Sequence, residues 1–402
     1  MTTAEAAIAD GAQAHELVAN AASIKSILAR NAVETEEQRR LSPESVAALA
    51  EAGAFKLTVP RRFGGHEVPF ATFHEVTATV AGACGSSGWL VSLINICNWL
   101  ASLYCDQAQQ EVFGADPDAR VCGVLAPTAQ SRRTDGGLVV SGSWPYASGC
   151  LHASWAVLGV PVVDDAGETV DQGFALIPLK SLQIQDTWFV AGMRGTGSNT
   201  LVAEEVFVAD HMIMSVPAAV QNVYPTEHKN EALYRSSFVP SLAVILAFPQ
   251  VGMAREAIEL VIEKAPRRQI AYTIFQAQRE SAAFQMQISD ADMLAETARL
   301  HTARAVSIVD DAAARGETLD YLTRARVRAH IGWAIRKARE SIDLVMSASG
   351  ASSFADASPL QRIWRDANTA GRHAVALPAV NQELYGKALL DIPYEENITA
   401  LI

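Results

Sequence analysis

A dense group of charged residues precedes a histidine in the stretch 359–373, which reads PLQRIWRDANTAGRH. The charged residues lie at helical spacing, and they are Arg362, Arg365, Asp366 and Arg372. One face of such a helix can pack in the core while guanidinium and carboxylate groups pair. His373 ends the stretch, and an imidazole whose proton moves near neutral pH is a candidate general acid or base. The competing interpretation is a capped helix with a surface histidine.

The composition limits the number of domains and the kind of partner. The chain has 402 residues, of which 50% are hydrophobic and 19% charged, with a formal net charge of -12. This length exceeds the size at which a single core stops growing, so two or three domains are expected. Phosphate binding needs a basic face, and we therefore predict no nucleic-acid partner.

The cysteines indicate a reducing compartment. Five are present, they form no C-x-x-C pair, and no metal-ligand spacing accompanies them, so we predict small buried thiols and no metal site. The first residues lack the basic and apolar regions of a signal peptide. The longest apolar runs, such as residues 241–248, are too short to cross a bilayer. These features predict a cytoplasmic protein with no membrane partner.

The changes in sequence texture predict an α+β fold of three domains. Residues 1–117 have helical composition, with Ser42 and Pro43 opening a helix that Gly53 ends. Short β-rich runs separated by glycine turns predict a small β-barrel within residues 118–232. Residues 233–402 are helical again in four long segments broken near residues 266, 290, 316 and 350, which predicts an antiparallel four-helix bundle.

Four blocks carry a resemblance to a known family. They are PRRFGGHEVP (60–69), VSGSWPYASGCLHASW (140–155), GMRGTGSNTLVAEEVFV (192–208) and ASPLQRIWRDANTAGRHA (357–374). Their content and order resemble the acyl-CoA dehydrogenase superfamily over nearly the whole chain. The resemblance implies the same three domains in the same order.

The residue at the expected position of the catalytic base decides the branch of this superfamily. Many acyl-CoA dehydrogenases carry a glutamate about eight residues after the RDA aspartate, where this chain has Ala374 preceded by His373. The ending instead resembles the two-component, reduced-flavin-dependent monooxygenases, which include the 4-hydroxyphenylacetate and secosteroid phenol hydroxylases. The resemblance implies that reduced flavin and O2 form a C4a-hydroperoxide that hydroxylates a small phenolic, indolic or polyketide-like aromatic.

Three alternatives stay open. One is an N-oxygenase that acts on an amino sugar or another amine. The second is an acyl-CoA or nitroalkane-type dehydrogenase or oxidase whose base is Glu383 or Asp366. The third is a flavin-fold scaffold without catalysis.

The resemblance also implies a flavin site. His373 would lie near the reacting ring as proton donor or acceptor, and the Ser148 hydroxyl would contact flavin N5. The implied flavin-binding residues are Tyr146, Ala147, Ser148, Arg194, Gly195, Thr196, Ser198, Arg267, Arg268 and Gln269. A turn serine and a solvated helix end are the structural alternatives for Ser148 and the arginine pair. We expect reduced FMN as the flavin, with FADH2 accepted, and O2 as co-substrate.

The substrate contacts and partners follow from the same resemblance. The implied substrate-binding residues are Trp89, Cys97, Asn98 and Trp99. The phenol hydroxylases commonly have histidine, proline and tryptophan where this chain has Cys97-Asn98-Trp99, so the substrate is expected to differ. Aromatic residues that could line the cavity are Trp144, Tyr146, Trp188 and Phe189. The implied partners are a separate NAD(P)H-dependent flavin reductase and further copies of the chain in a homotetramer.

Overall fold

The computed structural model describes residues 3–402, with side chains from residue 11 onward. Within this part, seven α-helices precede the first strand: α1 (Thr3–Ser23), α2 (Lys25–Arg30), α3 (Ala32–Gln38), α4 (Pro43–Glu51), α5 (Phe70–Ala83), α6 (Gly85–Ala101) and α7 (Asp106–Gln109). The predicted start of α4 is confirmed, since the Ser42 side chain accepts a hydrogen bond from the Ser45 backbone N–H. Gly53, at a φ of 74°, follows the end of this helix.

The middle of the chain forms two separate sheets. Its strands are β1 (Val121–Val124), β2 (Ala129–Thr134), β3 (Gly137–Ala147), β4 (Trp155–Val163), β5 (Thr169–Pro178), β6 (Gln183–Gln185), β7 (Asn199–Ala209) and β8 (Ile213–Ser215). One sheet has the order β1-β4-β5-β8 and the other β2-β3-β7-β6, and β1 pairs with β4 in parallel while the remaining pairs are antiparallel. Because neither sheet closes on itself, the predicted barrel is not confirmed.

The remaining residues are helical. Their α-helices are α8 (Val216–Val220), α9 (Phe238–Val244), α10 (Phe248–Lys264), α11 (Ala282–Arg315), α12 (Tyr321–Ser349), α13 (Pro359–Ala370) and α14 (Pro378–Leu389). Gly316 and Gly350 end α11 and α12 at φ values of 68°, as predicted. The predicted break near residue 290 is wrong, because α11 runs through it without interruption. Three long helices result, so the predicted bundle of four long segments is not confirmed, and the boundaries at 117 and 232 stay predictions.

One apolar stretch is long enough to cross a membrane. Residues Phe238–Lys264 have a hydropathy of 1.4 in their most apolar window, and 89% of that window is buried inside the protein. Protein neighbours therefore already cover its apolar side chains. All five cysteines are free thiols, and no group of three or more potential metal ligands occurs among the described residues.

Helix α6 lies at the centre of the fold. Nearly all of its residues are buried, and both the 3₁₀ turn Arg194–Thr196 and helix α13 pack close to it. The middle domain and the last domain therefore meet on α6, beside the residues that the sequence marks for chemistry.

Candidate functional site

Asp366, on α13, fixes the loop between β6 and β7, which we call the loop below. Its Oδ1 atom accepts a hydrogen bond of 2.5 Å from the Met193 backbone N–H. The loop can come this close only because Gly192 has no side chain. A Cβ on this residue would lie 2.2 Å from the Arg365 carbonyl oxygen. Burial raises the pKa of Asp366 to about 6. The carboxylate is thus an anchor for the loop, and this role leaves it unsuited to be a substrate base.

The arginines of the charged stretch do not pair with Asp366 as expected. Arg365 donates to the Glu36 carboxylate and to the Ala191 carbonyl rather than to Asp366. Arg372 donates to the Asn368 carbonyl. Arg365 therefore ties α13 to α3 and to the loop, whereas Arg372 binds Asn368 within α13. The Arg365–Glu36 pair joins residues 329 positions apart, which local spacing does not reveal.

Gly195 is the point of closest approach between the loop and the N-terminal domain. A Cβ on this residue would lie 2.2 Å from Thr35 Cγ2 and 3.0 Å from Ser86 Cβ. Any side chain at this position would force Thr35, Ser86 or the turn itself to shift. The residue thus positions the loop that the sequence assigned to flavin binding.

We expect Gly195→Ala to lower the free energy of unfolding by roughly 1 to 3 kcal/mol, because the added methyl overpacks this contact. Thr35→Ser removes the nearest atom and should restore part of the loss in the double variant. Thermal unfolding of the wild type, both single variants and the double variant measures this coupling. Strictly additive effects would contradict a direct clash.

Three hydroxyl groups form a directed chain of hydrogen bonds next to this loop. Thr196 donates to the Met193 carbonyl at 2.8 Å, and the oxygen of Ser198 lies 2.7 Å from those of both Thr196 and Ser148. The Trp89 indole N–H donates to Ser148 at 3.2 Å. We call Ser148, Ser198 and Thr196 the hydroxyl chain.

The two ends of the hydroxyl chain set its direction. A carbonyl only accepts and an indole N–H only donates, so each hydroxyl proton points toward Met193. Ser148 thus accepts from Trp89 and donates to Ser198. Its oxygen keeps one further acceptor position, which suits an N–H donor from a ligand.

Aromatic side chains stand outward beside Ser148. Tyr146 has a φ of 68°, uncommon for a residue with a side chain, and its side chain is 69% exposed. Its ring meets Trp188 edge to face at 6.0 Å, and Trp188 is fixed by donation of its indole N–H to the Met193 carbonyl at 2.9 Å. An exposed aromatic rim next to a free acceptor position fits a planar ring with an N–H group, as a reduced flavin has.

The ring of His373 also packs beside Trp89. The two ring centroids are 5.9 Å apart, and the Val375 backbone N–H donates to His373 Nδ1 at 3.3 Å. The side chain is accessible to solvent, yet the surrounding protein, with a smaller effect from Arg328, lowers its pKa to about 4. The ring is therefore in contact with Trp89 while part of its surface stays open to solvent.

The environment of His373 determines its protonation state. With a pKa of about 4 the imidazole is neutral at neutral pH, so the expected titration near pH 7 is wrong. Because Nδ1 accepts from Val375, the single ring proton lies on Nε2. His373 therefore has one N–H donor, on Nε2, in a ring that packs beside Trp89.

Several predicted site residues lie elsewhere. Cys97 is buried, Asn98 donates to the Phe55 carbonyl and accepts from the Val121 N–H, and Trp99 donates to the Leu233 carbonyl. These three residues are core residues that join α6 to neighbouring segments, and no described contact brings them to Ser148 or His373. Their substrate role has no support in this placement.

The arginine pair between α10 and α11 has hydrogen-bond partners other than the hydroxyl chain. Arg268 donates to the Ser349 carbonyl and the Ser352 hydroxyl, while Arg267 and Gln269 are exposed. No described hydrogen bond joins them to Ser148. Arg194 donates to the carbonyls of Glu36 and Val190, so its guanidinium stabilises the loop.

A dehydrogenase base is missing at this site. Position 374 is alanine, Asp366 holds the Met193 amide, and Glu383 is exposed on α14. The dehydrogenase alternative therefore lacks a carboxylate at the expected position.

Comparisons with known proteins identify the family. The model of the acyl-CoA dehydrogenase N-terminal domain matches residues 14–115, and that of the C-terminal domain matches residues 244–378. The flavin-dependent monooxygenase oxygenase subunit HsaA of Rhodococcus jostii is 35% identical over 92% of this chain and 97% of its own. The FADH(2)-dependent resorcinol hydroxylase oxygenase component of a Rhizobium species is 29% identical over 89% of this chain and 90% of its own.

The solved structures agree with the sequence relatives. XiaF from a Streptomyces species, determined in complex with FADH2 and glycerol, superposes with a TM-score of 0.92 at 34% identity and covers 97% of this chain and 98% of its own. The chain therefore belongs to the acyl-CoA dehydrogenase superfamily and, within it, to the reduced-flavin-dependent monooxygenases, as an oxygenase component of the two-component type.

Proposed function

We propose that this oxygenase hydroxylates a small aromatic substrate at the space between Trp89, Ser148 and His373. The observation that carries the proposal is the contact of the His373 ring with Trp89 at 5.9 Å, while the Trp89 indole N–H donates to Ser148 at 3.2 Å. Relatives named for resorcinol, p-hydroxyphenylacetate and indole-3-acetate support an aromatic ring as substrate.

Ser148, His373 and two aromatic residues would have separate roles in this reaction. The bound reduced flavin supplies the two electrons with which one oxygen atom of O2 enters the substrate and the other leaves as water. Ser148 would hold the flavin N5–H with its remaining acceptor position. Tyr146 and Trp188 would pack against the ring system. His373 would donate a hydrogen bond from its Nε2–H to the oxygen that leaves or develops charge, and one such fixed donor is typically worth roughly 10²- to 10³-fold in rate.

The flavin and the partner protein are part of the same proposal. We propose reduced FMN as the preferred flavin with FADH2 accepted, because no residue clearly marks an adenosine site, while the FADH2 complex of XiaF supports the second. A separate NAD(P)H-dependent reductase would supply it. The proposal also places the protein in the cytoplasm, which its free thiols support.

The function is tested with purified protein and a panel of resorcinol, 4-hydroxyphenylacetate and indole-3-acetate. The protein should purify without bound yellow flavin, and it should form hydroxylated product only when reduced FMN or FADH2 and O2 are both supplied. Tightly bound oxidised flavin that an acyl-CoA reduces would refute the proposal and favour a dehydrogenase.

We expect the ratio of product to H2O2 to stay constant from about pH 6 to 8 and to fall toward pH 4. The pKa of His373 is lowered to about 4, and below that value Nδ1 becomes protonated and no longer accepts the Val375 N–H, so the ring loses the bond that orients it. The unfolded chain binds this proton already near pH 6.5, so the unfolding free energy should also decrease as the pH falls through this window.

Product and H2O2 assays and thermal unfolding across this pH range measure both effects, with His373→Gln as the reference without a titrating ring. An equal decline of the product ratio in His373→Gln would show that another group titrates. In that case the assigned protonation state of His373 would not control the reaction.

We further propose a homotetramer that uses the outer face of α11. Met286, Met293 and Leu300 follow one another at seven-residue intervals, and their side chains are 63%, 61% and 53% exposed. Seven residues are nearly two helical turns, so these side chains form one apolar stripe. A second copy of the chain carries the same stripe and can cover it.

Met293→Glu should shift the assembly from tetramer to a smaller species, because it places a charge in the centre of this stripe. Light scattering during size-exclusion chromatography measures the mass. Val170→Glu changes an equally exposed apolar residue on β5 and should leave the assembly intact. A tetrameric Met293→Glu variant would exclude the stripe as the interface.

A further inference from the structure

Arg328 on α12 is a buried arginine without a carboxylate partner. Its residue surface is only 2% exposed, and no acidic side chain of the described residues lies within ion-pair distance. Burial lowers its pKa to about 10. Burial of an unpaired charge is expensive, and such groups are retained where their hydrogen bonds fix a particular arrangement.

The Arg328 guanidinium binds three segments that are separate in sequence. Its Nε donates to Asn381 Oδ1 on α14 at 2.9 Å, one Nη to the Leu401 carbonyl at 2.6 Å, and the other Nη to the Val375 carbonyl at 3.4 Å. All three acceptors are neutral oxygens. The arginine therefore fastens the segment that follows α13, the start of α14 and residues 399–402 to one point on α12.

The Val375 contact leads directly to His373. Asn381 donates its side-chain amide to the same Val375 carbonyl at 3.0 Å, while the Val375 N–H donates to His373 Nδ1 at 3.3 Å. Arg328 and Asn381 thus bind the carbonyl of Val375, and the N–H of the same residue sets the tautomer of the imidazole. Gly332 makes room for this arrangement, because a Cβ there would lie 3.0 Å from Asn381 Cβ.

We propose that Arg328 and Asn381 are positioning residues that hold the Val375 peptide, and through it the donating tautomer and direction of the His373 ring. This inference rests on the proposed role of His373. Residues 371–375 are otherwise held by few contacts: several of their side chains are exposed, and the turn after α13 depends on local backbone bonds from Arg372, His373 and Ala376. Without the two tethers the ring is expected to turn away from Trp89.

The positive charge of Arg328 also helps to keep His373 neutral, in addition to the tether. Next to the larger effect of the surrounding protein, this positive charge lowers the pKa of His373. A neutral residue at position 328 would remove both a tether and this positive charge. The geometric effect is separable, because Asn381 carries no charge.

The first test compares Arg328→Met with the wild type by hydrogen exchange of the flavin-free protein. Peptides that cover residues 372–381 should exchange about tenfold faster in the variant, because the Val375 peptide loses a hydrogen-bond partner. Leu28→Ala, a core truncation in the N-terminal domain, shows what lost stability alone does and should leave this peptide protected. Unchanged exchange in Arg328→Met would overturn the proposal, whatever the function of the protein.

The second test measures the reaction with the panel aromatic that the wild type converts fastest. In Arg328→Met the ratio of product to H2O2 should fall about tenfold or more, while the Kd for reduced FMN changes less than about threefold. Leu28→Ala should keep the wild-type ratio. A loosened loop with wild-type product formation would refute a positioning role, whereas full product formation in His373→Ala would refute the role of His373 itself and leave the exchange result standing.

Asn381→Asp keeps the proposal testable if Arg328→Met does not fold. The new carboxylate pairs with Arg328, so the melting temperature should not fall, but the side-chain N–H that binds the Val375 carbonyl is lost. We expect faster exchange in residues 372–377 and a lower product ratio in a stable protein. Wild-type exchange and product ratio in this variant would refute the proposal.

Discussion

His373→Ala should bind reduced flavin within about threefold of the wild type and yet release most of the oxygen as H2O2, with product formation lower by roughly 10²- to 10³-fold. The ring contributes one N–H donor beside Trp89, and its neutral state at pH 7 follows from a pKa of about 4. Removal of this donor takes away the hydrogen bond that stabilises the charge developing on the oxygen. The contacts predicted to hold flavin, at Tyr146 and Ser148, are untouched.

Stopped-flow and product analysis with limiting reduced FMN measure the effect. His373→Gln retains a neutral N–H donor and should recover part of the product, while His211→Ala, a histidine that pairs with Glu111 on the surface, is the matched control. Full wild-type product formation in His373→Ala would contradict the assigned role. Loss of flavin binding in the same variant would instead indicate that the ring holds the cofactor.

Local sequence signals identified the elements that position the site. Ser42 with Pro43 and the glycines at 316 and 350 act through backbone conformations that depend on a few neighbouring residues, so their helix boundaries were predictable. The continuous α11 was not predictable in this way, because an aspartate near residue 290 weakens a helix only slightly while packing over many turns stabilises it.

The sheets show the corresponding limit for β structure. Turn residues marked the strands, but closure of a sheet depends on pairing between its first and last strands. β1 pairs in parallel with β4 rather than with a neighbour in sequence, so two open sheets form where a barrel was expected.

Within the site, residue types were predictable and environments were not. Ser148 and Ser198 were marked by their blocks, but the direction of their hydrogen bonds depends on Trp89 and Met193, which are distant in sequence. The lowered pKa of His373 arises from packing of separate segments around it. Asn98 carries an amide that could bind a ligand. In the structure, however, its Nδ2 donates to the Phe55 carbonyl and its Oδ1 accepts from the Val121 N–H, both inside the core.

Ser148→Ala should accelerate H2O2 release from the reduced-flavin complex by roughly 10- to 100-fold in the absence of substrate. A hydrogen bond to a group that carries or develops charge contributes roughly 1.5 to 3 kcal/mol, which corresponds to this range. The variant removes the one acceptor position that the hydroxyl chain leaves open toward a ligand N–H. The control is Ser92→Ala. It deletes a buried hydroxyl on α6 that donates to the Ile245 carbonyl, and this variant should release H2O2 at the wild-type rate.

Ser198→Ala provides the sharper test, because Ser198 acts only through Ser148. Its loss frees the Ser148 proton, so the hydroxyl can turn and present that proton to the ligand in place of its lone pair. H2O2 release should then be faster than in the wild type but slower than in Ser148→Ala. The double variant should match Ser148→Ala alone, since an orienting residue has no effect without the group that it orients. Additive effects of the two substitutions would instead mean that Ser198 contacts the flavin independently, and the directed hydroxyl chain would then not explain the chemistry.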